Sequence, residues 1–141
     1  MLTLDKARII IAEALKTGAA HGCKPLTVAV LDAGGALVAL ERSDGASRMR
    51  PEIAMGKANG AIALGIGSRA IWKRAEEQPY FIQSMNALAH GVLVPVPGGV
   101  LVKGPGNVIL GAVGITGDTS DNDELCAIAG IEAAGFTADG G

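Results

Sequence analysis

The stretch Asn107-Val-Ile-Leu-Gly-Ala-Val-Gly-Ile-Thr-Gly117 decides the fold of this chain. Nine of its eleven residues are aliphatic or glycine, and none is charged. An uninterrupted apolar run of this kind is typical of a strand covered on both faces, because a half-exposed strand would alternate apolar and polar residues. The run therefore predicts a strand in the middle of a sheet, with helices packed on both sides.

An acidic turn and a helical pattern follow this strand. Asp121 stands three positions before Glu124, which resembles a capping box, and the acidic cluster complements the positive end of a helix dipole. The pattern from Leu125 to Phe136 predicts the helix itself. We expect this helix to fold back over the sheet.

The rest of the chain supplies the other layers. Thr3 is expected to cap a first helix, and two hairpins stand before and after a group of three further helices. We therefore predict an α+β fold, mostly antiparallel, in one domain of residues 1–138, with a disordered tail at 139–141. The predicted strands are 26–31, 36–41, 92–95, 100–103 and 107–117, and the predicted helices are 4–17, 51–64, 69–77, 80–89 and 125–136.

The composition narrows the classes of function. The chain of 141 residues is 49% hydrophobic but only 3% aromatic, and it contains 21 glycines, so we expect a core of small aliphatic side chains. The formal charge of −2 argues against a nucleic-acid or anionic membrane partner, since both attract basic patches. No apolar run reaches the length of a membrane span, and the segment Met1 to Lys6 lacks the pattern of a secretory signal. We expect a cytoplasmic protein.

The two histidines are the first candidates for chemistry. His21 lies in the loop after the first helix, where it is an axial ligand for a haem iron, a proton carrier or a solvent-facing residue. His90 precedes Gly91 at a helix end, where it either exchanges protons or satisfies the last carbonyls of the helix. Cys23 and Cys126 lack CxxC or CxxH spacing, which indicates buried apolar thiols rather than a zinc site.

Charged residues around the second helix are the other candidates. Glu52 and Lys57 lie about 140° apart around a helix, so they do not share a face. Lys57 stands among alanine and glycine, where it either reaches solvent or points into a pocket that receives an anion. Near the start of this helix we expect a carboxylate, propionate or phosphate, with solvated pairing to acidic neighbours as the alternative. The cations that would bind such an anion are Arg42, Arg48 and Arg50.

Several short motifs occur together along almost the whole chain. They are Ala29-Val-Leu-Asp-Ala-Gly-Gly35, Arg42-Ser-Asp-Gly-Ala46, Lys57-Ala58, Pro97-Gly-Gly-Val100, Gly111-Ala-Val-Gly-Ile-Thr-Gly117 and Asp123. Their combination resembles the GlcG/HbpS family, which is often labelled haem-degrading and includes the C-terminal domain of the PduO proteins. The resemblance implies a three-layer α/β/α domain with an antiparallel five-stranded sheet, and a homo-oligomer built from dimers, up to an octamer. It also implies that some members bind haem or a related tetrapyrrole, while many occur beside catabolic enzymes for small organic acids.

Two functions stay open at this point, together with the third option of an accessory subunit without a ligand. In the first, an oligomer binds haem or a related tetrapyrrole through His21 and assists its degradation, while the three arginines or Lys57 contact its anionic groups. In the second, the chain is an isomerase, hydratase or lyase. There the arginines would clamp an organic acid, and Lys57, Glu52 or His90 would exchange the proton. The second function requires these side chains to converge on one cleft.

Overall fold

The computed structural model describes residues 1–141, which form five α-helices and one five-stranded sheet. The strands are β1 (Thr27–Asp32), β2 (Leu37–Arg42), β3 (Gly99–Lys103), β4 (Ile109–Thr116) and β5 (Thr137–Asp139), and the helices are α1 (Leu4–Ala20), α2 (Arg50–Leu64), α3 (Ser68–Glu77), α4 (Pro79–Leu88) and α5 (Ser120–Ala133). The sheet has the order β2-β1-β4-β3-β5, and every neighbouring pair is antiparallel. The predicted α+β class is confirmed. None of the helices is long and apolar enough to cross a bilayer.

Helices cover both faces of the sheet. α1 and α5 pack together on one face, over side chains of β1, β3 and β4. α2 lies across the same three strands on the other face. β4 is the central strand, and because successive side chains alternate between faces, Val113 and Ile115 point to α1 and α5 while Ala112 points to α2. The prediction that the glycine-rich apolar run lies in mid-sheet is therefore confirmed.

Threonine side chains cap the first and the last helix. Thr3 Oγ1 accepts a hydrogen bond from the Lys6 N–H at 3.2 Å, which confirms the predicted cap of α1. α5 starts earlier than predicted, because its cap is Thr119 and not Asp121. The Thr119 hydroxyl accepts from the Asn122 N–H at 3.2 Å. The sequence pattern missed this cap because Thr, Ser, Asp and Asn all suit the position.

The segment 92–95, which the sequence predicted as a strand, is a loop that packs on α2. Its Val94 N–H donates to Gly56 O at 3.1 Å instead of pairing with the sheet. The two glycines inside α2 make room for it. A Cβ at Gly56 would lie 2.6 Å from Val94 Cγ2, and one at Gly60 would lie 3.1 Å from Leu93 Cγ. The helix glycines therefore serve the loop, while α2 contacts the sheet through other residues.

The C-terminal residues form the fifth strand. β5 pairs with β3 in a register that places Asp139 opposite Leu101 and Thr137 opposite Lys103. Lys103 Nζ lies 2.6 Å from Asp139 Oδ2, and this hydrogen bond lowers the pKa of Asp139. Asp139, which the sequence analysis assigned to a disordered tail, therefore lies in a strand. Local sequence does not reveal this pairing because the partner strand is distant in the chain.

α2 approaches the sheet to backbone contact at two glycines. Gly99 and Gly114 lie opposite each other in the β3–β4 ladder and face α2. A Cβ at Gly114 would overlap Ala54 O, and one at Gly99 would overlap Lys57 O. The layer between the helix and these strands thus has no room for side chains at the two positions. The two sheet glycines, and not the glycines within α2, therefore permit the close approach of the helix to the sheet.

A buried ion pair joins α2 to α5. Lys57 Nζ lies 3.1 Å from Asp123 Oδ2 and donates to Ile115 O in β4 at 2.8 Å. The two charged side chains are only 3% and 2% exposed. Asp123 Oδ1 also accepts from the Asp118 N–H at 3.0 Å. Burial lowers the pKa of Lys57 and raises the pKa of Asp123, and the attraction between the two charges opposes both shifts.

Gly114→Ala should lower the free energy of unfolding by about 3 kcal/mol, because the methyl group forces the α2 backbone away from β4. Gly34 is the matched control, since a Cβ there meets only Asp32 Oδ1 at an ordinary 3.5 Å. Urea denaturation of G114A and G34A measures the difference. Similar unfolding free energies for the two variants would contradict the close approach of α2.

Lys57→Met should cost about 3–5 kcal/mol of unfolding free energy near neutral pH, because it leaves the Asp123 carboxylate buried without its cation. The cost should depend on pH. Without Lys57, the folded-state pKa of Asp123 rises further above its ordinary value of 3.8, so the folded chain holds a proton that the unfolded chain releases. The proton bound to Asp123 stabilises the folded chain fully below the ordinary pKa of 3.8. This stabilisation is lost as the pH rises through the folded-state pKa of Asp123.

K57M should therefore lose less stability, relative to the unchanged protein, at about pH 5 than at about pH 8. Chemical denaturation at both pH values is the measurement. The double variant K57M/D123N is the control, because it has no carboxyl group at position 123 and should lack the pH dependence. Equal losses for K57M at the two pH values would show that Asp123 is not desolvated as described.

Candidate ligand-binding site

One end of the sheet carries a cleft of about 200 Å³. The loop before β1, the loop after β2, the first residue of α2 and the residue after β4 meet there. The lining residues are Lys24, Pro25, Gly45, Ala46, Ser47, Arg50 and Gly117. The cleft thus lies between two loops that carry most of the predicted ligand-binding residues.

His21 is the residue at which α1 ends. It is exposed, and its Nδ1 lies 2.9 Å from Thr17 O in the last turn of the helix. A carbonyl oxygen only accepts hydrogen bonds, so Nδ1 carries a proton, and in the neutral ring Nε2 then keeps a free lone pair. The structure therefore places at the surface an imidazole whose tautomer is fixed by the backbone.

The loop that follows His21 is held against the start of α5. The Lys24 N–H donates to Asp118 Oδ1 at 3.0 Å. Hydrogen bonds from the Asn122 side chain and from this N–H lower the pKa of Asp118 to about 2. Cys23 is half-buried and in contact with the buried Cys126, and both thiols are free. Burial raises the pKa of both thiols, that of Cys126 to about 12.

The three arginines of the second loop have different surroundings. Arg50 is half-buried, and its guanidinium donates to Thr116 Oγ1 at 2.8 Å and to Ser47 Oγ at 3.2 Å. Arg42 is exposed and donates to a loop carbonyl at 2.8 Å, and Arg48 is exposed. None of the three forms an ion pair with a carboxylate. Of the three arginines, only Arg50 lines the cleft.

The three residues predicted as acid–base groups lie apart. Lys57 is enclosed in the ion pair with Asp123, and Glu52 is exposed in the first turn of α2. His90 follows α4 with a φ of 56° and lines a different cleft, of about 310 Å³, together with Met55. Neither Lys57 nor Glu52 lines that cleft. A single chain thus does not bring these three groups together.

Sequence reasoning missed the partners of the acidic turn. Arg69 at the start of α3 lies 2.5 Å from Asp121 and 3.0 Å from Glu124, and the hydrogen bonds that it donates to these carboxylates raise the pKa of Arg69. It also missed that Asp123 pairs with Lys57. The one signal in the sequence was a lysine among alanines and glycines, which indicated a missing anion but not its position, 66 residues away.

A model of one protein family matches residues 2–132, and its description is haem degrading protein HbpS-like. No curated protein matches the chain. The fold is similar to that of the PduOC:heme complex, with a TM-score of 0.85, 21% identity and 96% of each chain covered. Klebsiella pneumoniae protein ORFY gives a TM-score of 0.83 and 24% identity over 94% of this chain and 90% of that one.

A double mutant of Streptomyces reticuli HbpS is similar as well, with a TM-score of 0.79 and 26% identity over 94% of this chain and 86% of that one. These structures share the three-layer arrangement described above. The family model covers the first four α-helices, all but the last residue of α5, the two clefts and every predicted site residue. On this evidence the chain belongs to the HbpS-like family.

Proposed function

We propose that this protein binds haem or a related tetrapyrrole, with His21 as the axial ligand of the iron. One observation carries the proposal: the His21 Nδ1–H donates to Thr17 O, which leaves Nε2 free and exposed. Metal-binding histidines are commonly oriented by such a bond from their other ring nitrogen. A single histidine suffices for haem, because the porphyrin supplies the equatorial ligands. No group of three His, Cys, Asp or Glu side chains is placed to hold a bare metal ion.

The residues that follow His21 lead to cations that suit the propionate groups of haem. Haem carries propionates, and the loop after His21 leads directly to Lys24 at the cleft that Arg50 also lines. Arg42 and Arg48 lie in the facing loop and form no ion pair. We assign the propionate contacts to these cations, since guanidinium groups bind carboxylates through paired hydrogen bonds. The family description and the similar PduOC structure, a complex with heme, support the same ligand.

The proposal extends to assembly and to breakdown of the bound haem. His21 stands at the surface and the aromatic content is 3%, so one copy alone offers little apolar area to cover a porphyrin. We propose a homo-oligomer built from dimers, up to an octamer, whose neighbouring copies cover the ligand. Bound haem would supply a redox-active iron, which is the chemistry that an oxidative breakdown with oxygen and a reductant requires.

Haem titration should produce a shifted Soret band in the unchanged protein, and His21→Ala should weaken binding by about tenfold or more, because the axial bond is lost. His90→Ala is the matched control and should bind as the unchanged protein does, since His90 lines the other cleft. A Cys23→Ser arm shows whether the neighbouring sulfur supplies the second axial ligand. A titration that is the same in H21A and in the unchanged protein would contradict the assignment.

The same loaded protein tests the breakdown of haem. With oxygen and ascorbate the Soret band should decline over time, and under argon it should persist. Apoprotein circular dichroism confirms that H21A is folded before the comparison. A Soret band that is stable in the presence of both reagents would restrict the function to binding.

Assembly is tested at Ile9, which is 43% exposed on the outward side of α1 and is the apolar residue we expect a neighbouring copy to cover. Ile9→Lys should lower the mass measured by size-exclusion chromatography with light scattering, because a charge in an apolar contact is unfavourable. Ile66→Lys is the control, since Ile66 is 38% exposed in the turn before α3. An unchanged mass for I9K would place the interface elsewhere, and a monomeric unchanged protein would contradict the oligomer.

A further inference from the structure

We propose that the cleft at Arg50 is a binding site for a small oxyanion, a carboxylate or a phosphate, and that Arg50 is the residue that fixes it. This site goes beyond iron ligation by His21 and does not require it. The same chemistry is offered by a propionate of bound haem and by a free small anion. The group that the cleft recognises is therefore the oxyanion itself, and the experiment below distinguishes a propionate from a free anion.

The charge of Arg50 is not compensated within the chain. Arg50 is half-buried at the first position of α2, yet its guanidinium contacts only the neutral hydroxyl oxygens of Thr116 and Ser47. The other cation that lines the cleft, Lys24, forms no ion pair either. α2 adds the positive end of its dipole, and its cap residue Met49 makes no side-chain hydrogen bond. These contributions to the potential in the cleft are positive, while the Asp118 carboxylate, which accepts a hydrogen bond from the Lys24 N–H and follows Gly117, adds one opposing charge.

The guanidinium is also held in a fixed orientation. Thr116 is 2% exposed at the end of the central strand, so its hydroxyl is a rigid acceptor for Arg50 Nη1. Ser47 fixes Nε from the other side. A guanidinium has five N–H donors, and those not used by these two bonds remain for a ligand. Their planar, forked arrangement matches two oxygens of a carboxylate or phosphate.

A buried hydroxyl without a partner lies next to this anchor. Thr27 is fully buried, and its Oγ1 makes no hydrogen bond. In the β1–β4 ladder Thr27 is directly opposite Thr116, so the two hydroxyls share one face of the sheet. Buried polar atoms in folded proteins are nearly always satisfied. Thr27 does not line the cleft, so its unpaired Oγ1 indicates a buried water molecule next to Thr116 and not a contact with the ligand.

The size of the cleft limits the ligand. About 200 Å³ holds a single carboxylate or phosphate group with its substituent, and it is too small for a porphyrin ring. Arg42 and Arg48 are not part of this oxyanion site. Arg42 is directed to Ala46 O by its own hydrogen bond, and neither residue lines the cleft.

Calorimetric titration of the haem-free protein with inorganic phosphate and with glycolate tests the site. Saturable binding is expected, and Arg50→Gln should weaken it by about tenfold or more because the forked contact is lost. Lys16→Gln is the control and should stay within about twofold, since it removes an exposed positive charge that does not line the cleft. If R50Q unfolds, Lys24→Gln tests the same cleft. We expect this variant to bind the two anions about threefold more weakly.

Further arms separate the sources of the anion and the two proposals. His21→Ala should retain phosphate binding, so loss of haem binding and loss of the oxyanion site are distinguishable. If haem loading of the unchanged protein abolishes phosphate binding, a propionate occupies the cleft; if both bind together, the site serves a free anion. Absence of saturable binding of either probe, or equal binding in R50Q and K16Q, would overturn the inference.

Discussion

The absence of side chains at Gly99 and Gly114 is the constraint on which the rest of this structure depends. The two residues face each other in adjacent strands, and together they let α2 lie on the sheet at backbone distance. At that depth the lysine of α2 reaches a carbonyl of β4 and a carboxylate of α5, and the arginine at its start reaches the hydroxyl of Thr116. A methyl group at either glycine would raise the helix and lengthen all these contacts.

Two cations lie on one face of α2 and have different partners. This difference gives one a role in the fold and leaves the other available to a ligand. Arg50 and Lys57 are seven residues apart, about two helical turns, so both point to β4. Lys57 meets a carboxylate supplied by the chain itself, and burial makes that pair part of the fold. Arg50 meets only hydroxyl groups, so its charge remains available. The sequence offered solvent or a bound anion for Lys57, and the protein instead provides an internal anion.

Sequence patterns predicted the elements whose causes are local. The apolar run of β4, the Thr3 cap and the hairpin between β1 and β2 each depend on residues within one short window. β5 and the loop at 92–95 were not predictable in this way. Their placement depends on contacts with β3 and with Gly56, which no periodicity records. The candidate site was also only partly predictable. The three arginines are close together in the sequence, whereas Thr116, which anchors Arg50, is 66 residues away from it.

The same packing that fixes α2 also determines where a large ligand can bind. The core clusters consist of alanine, valine, leucine and isoleucine, with one buried cysteine, between layers held close by glycine, and such a core has no space as wide as a porphyrin. A tetrapyrrole must therefore lie outside the layers, on loops that present ligands at their surface. His21 at the end of α1 and the cations beside the Arg50 cleft are in such loops. Because an open surface would leave much of a porphyrin exposed to water, the proposed homo-oligomer would add the free-energy gain from burying its apolar faces under a second copy of the chain.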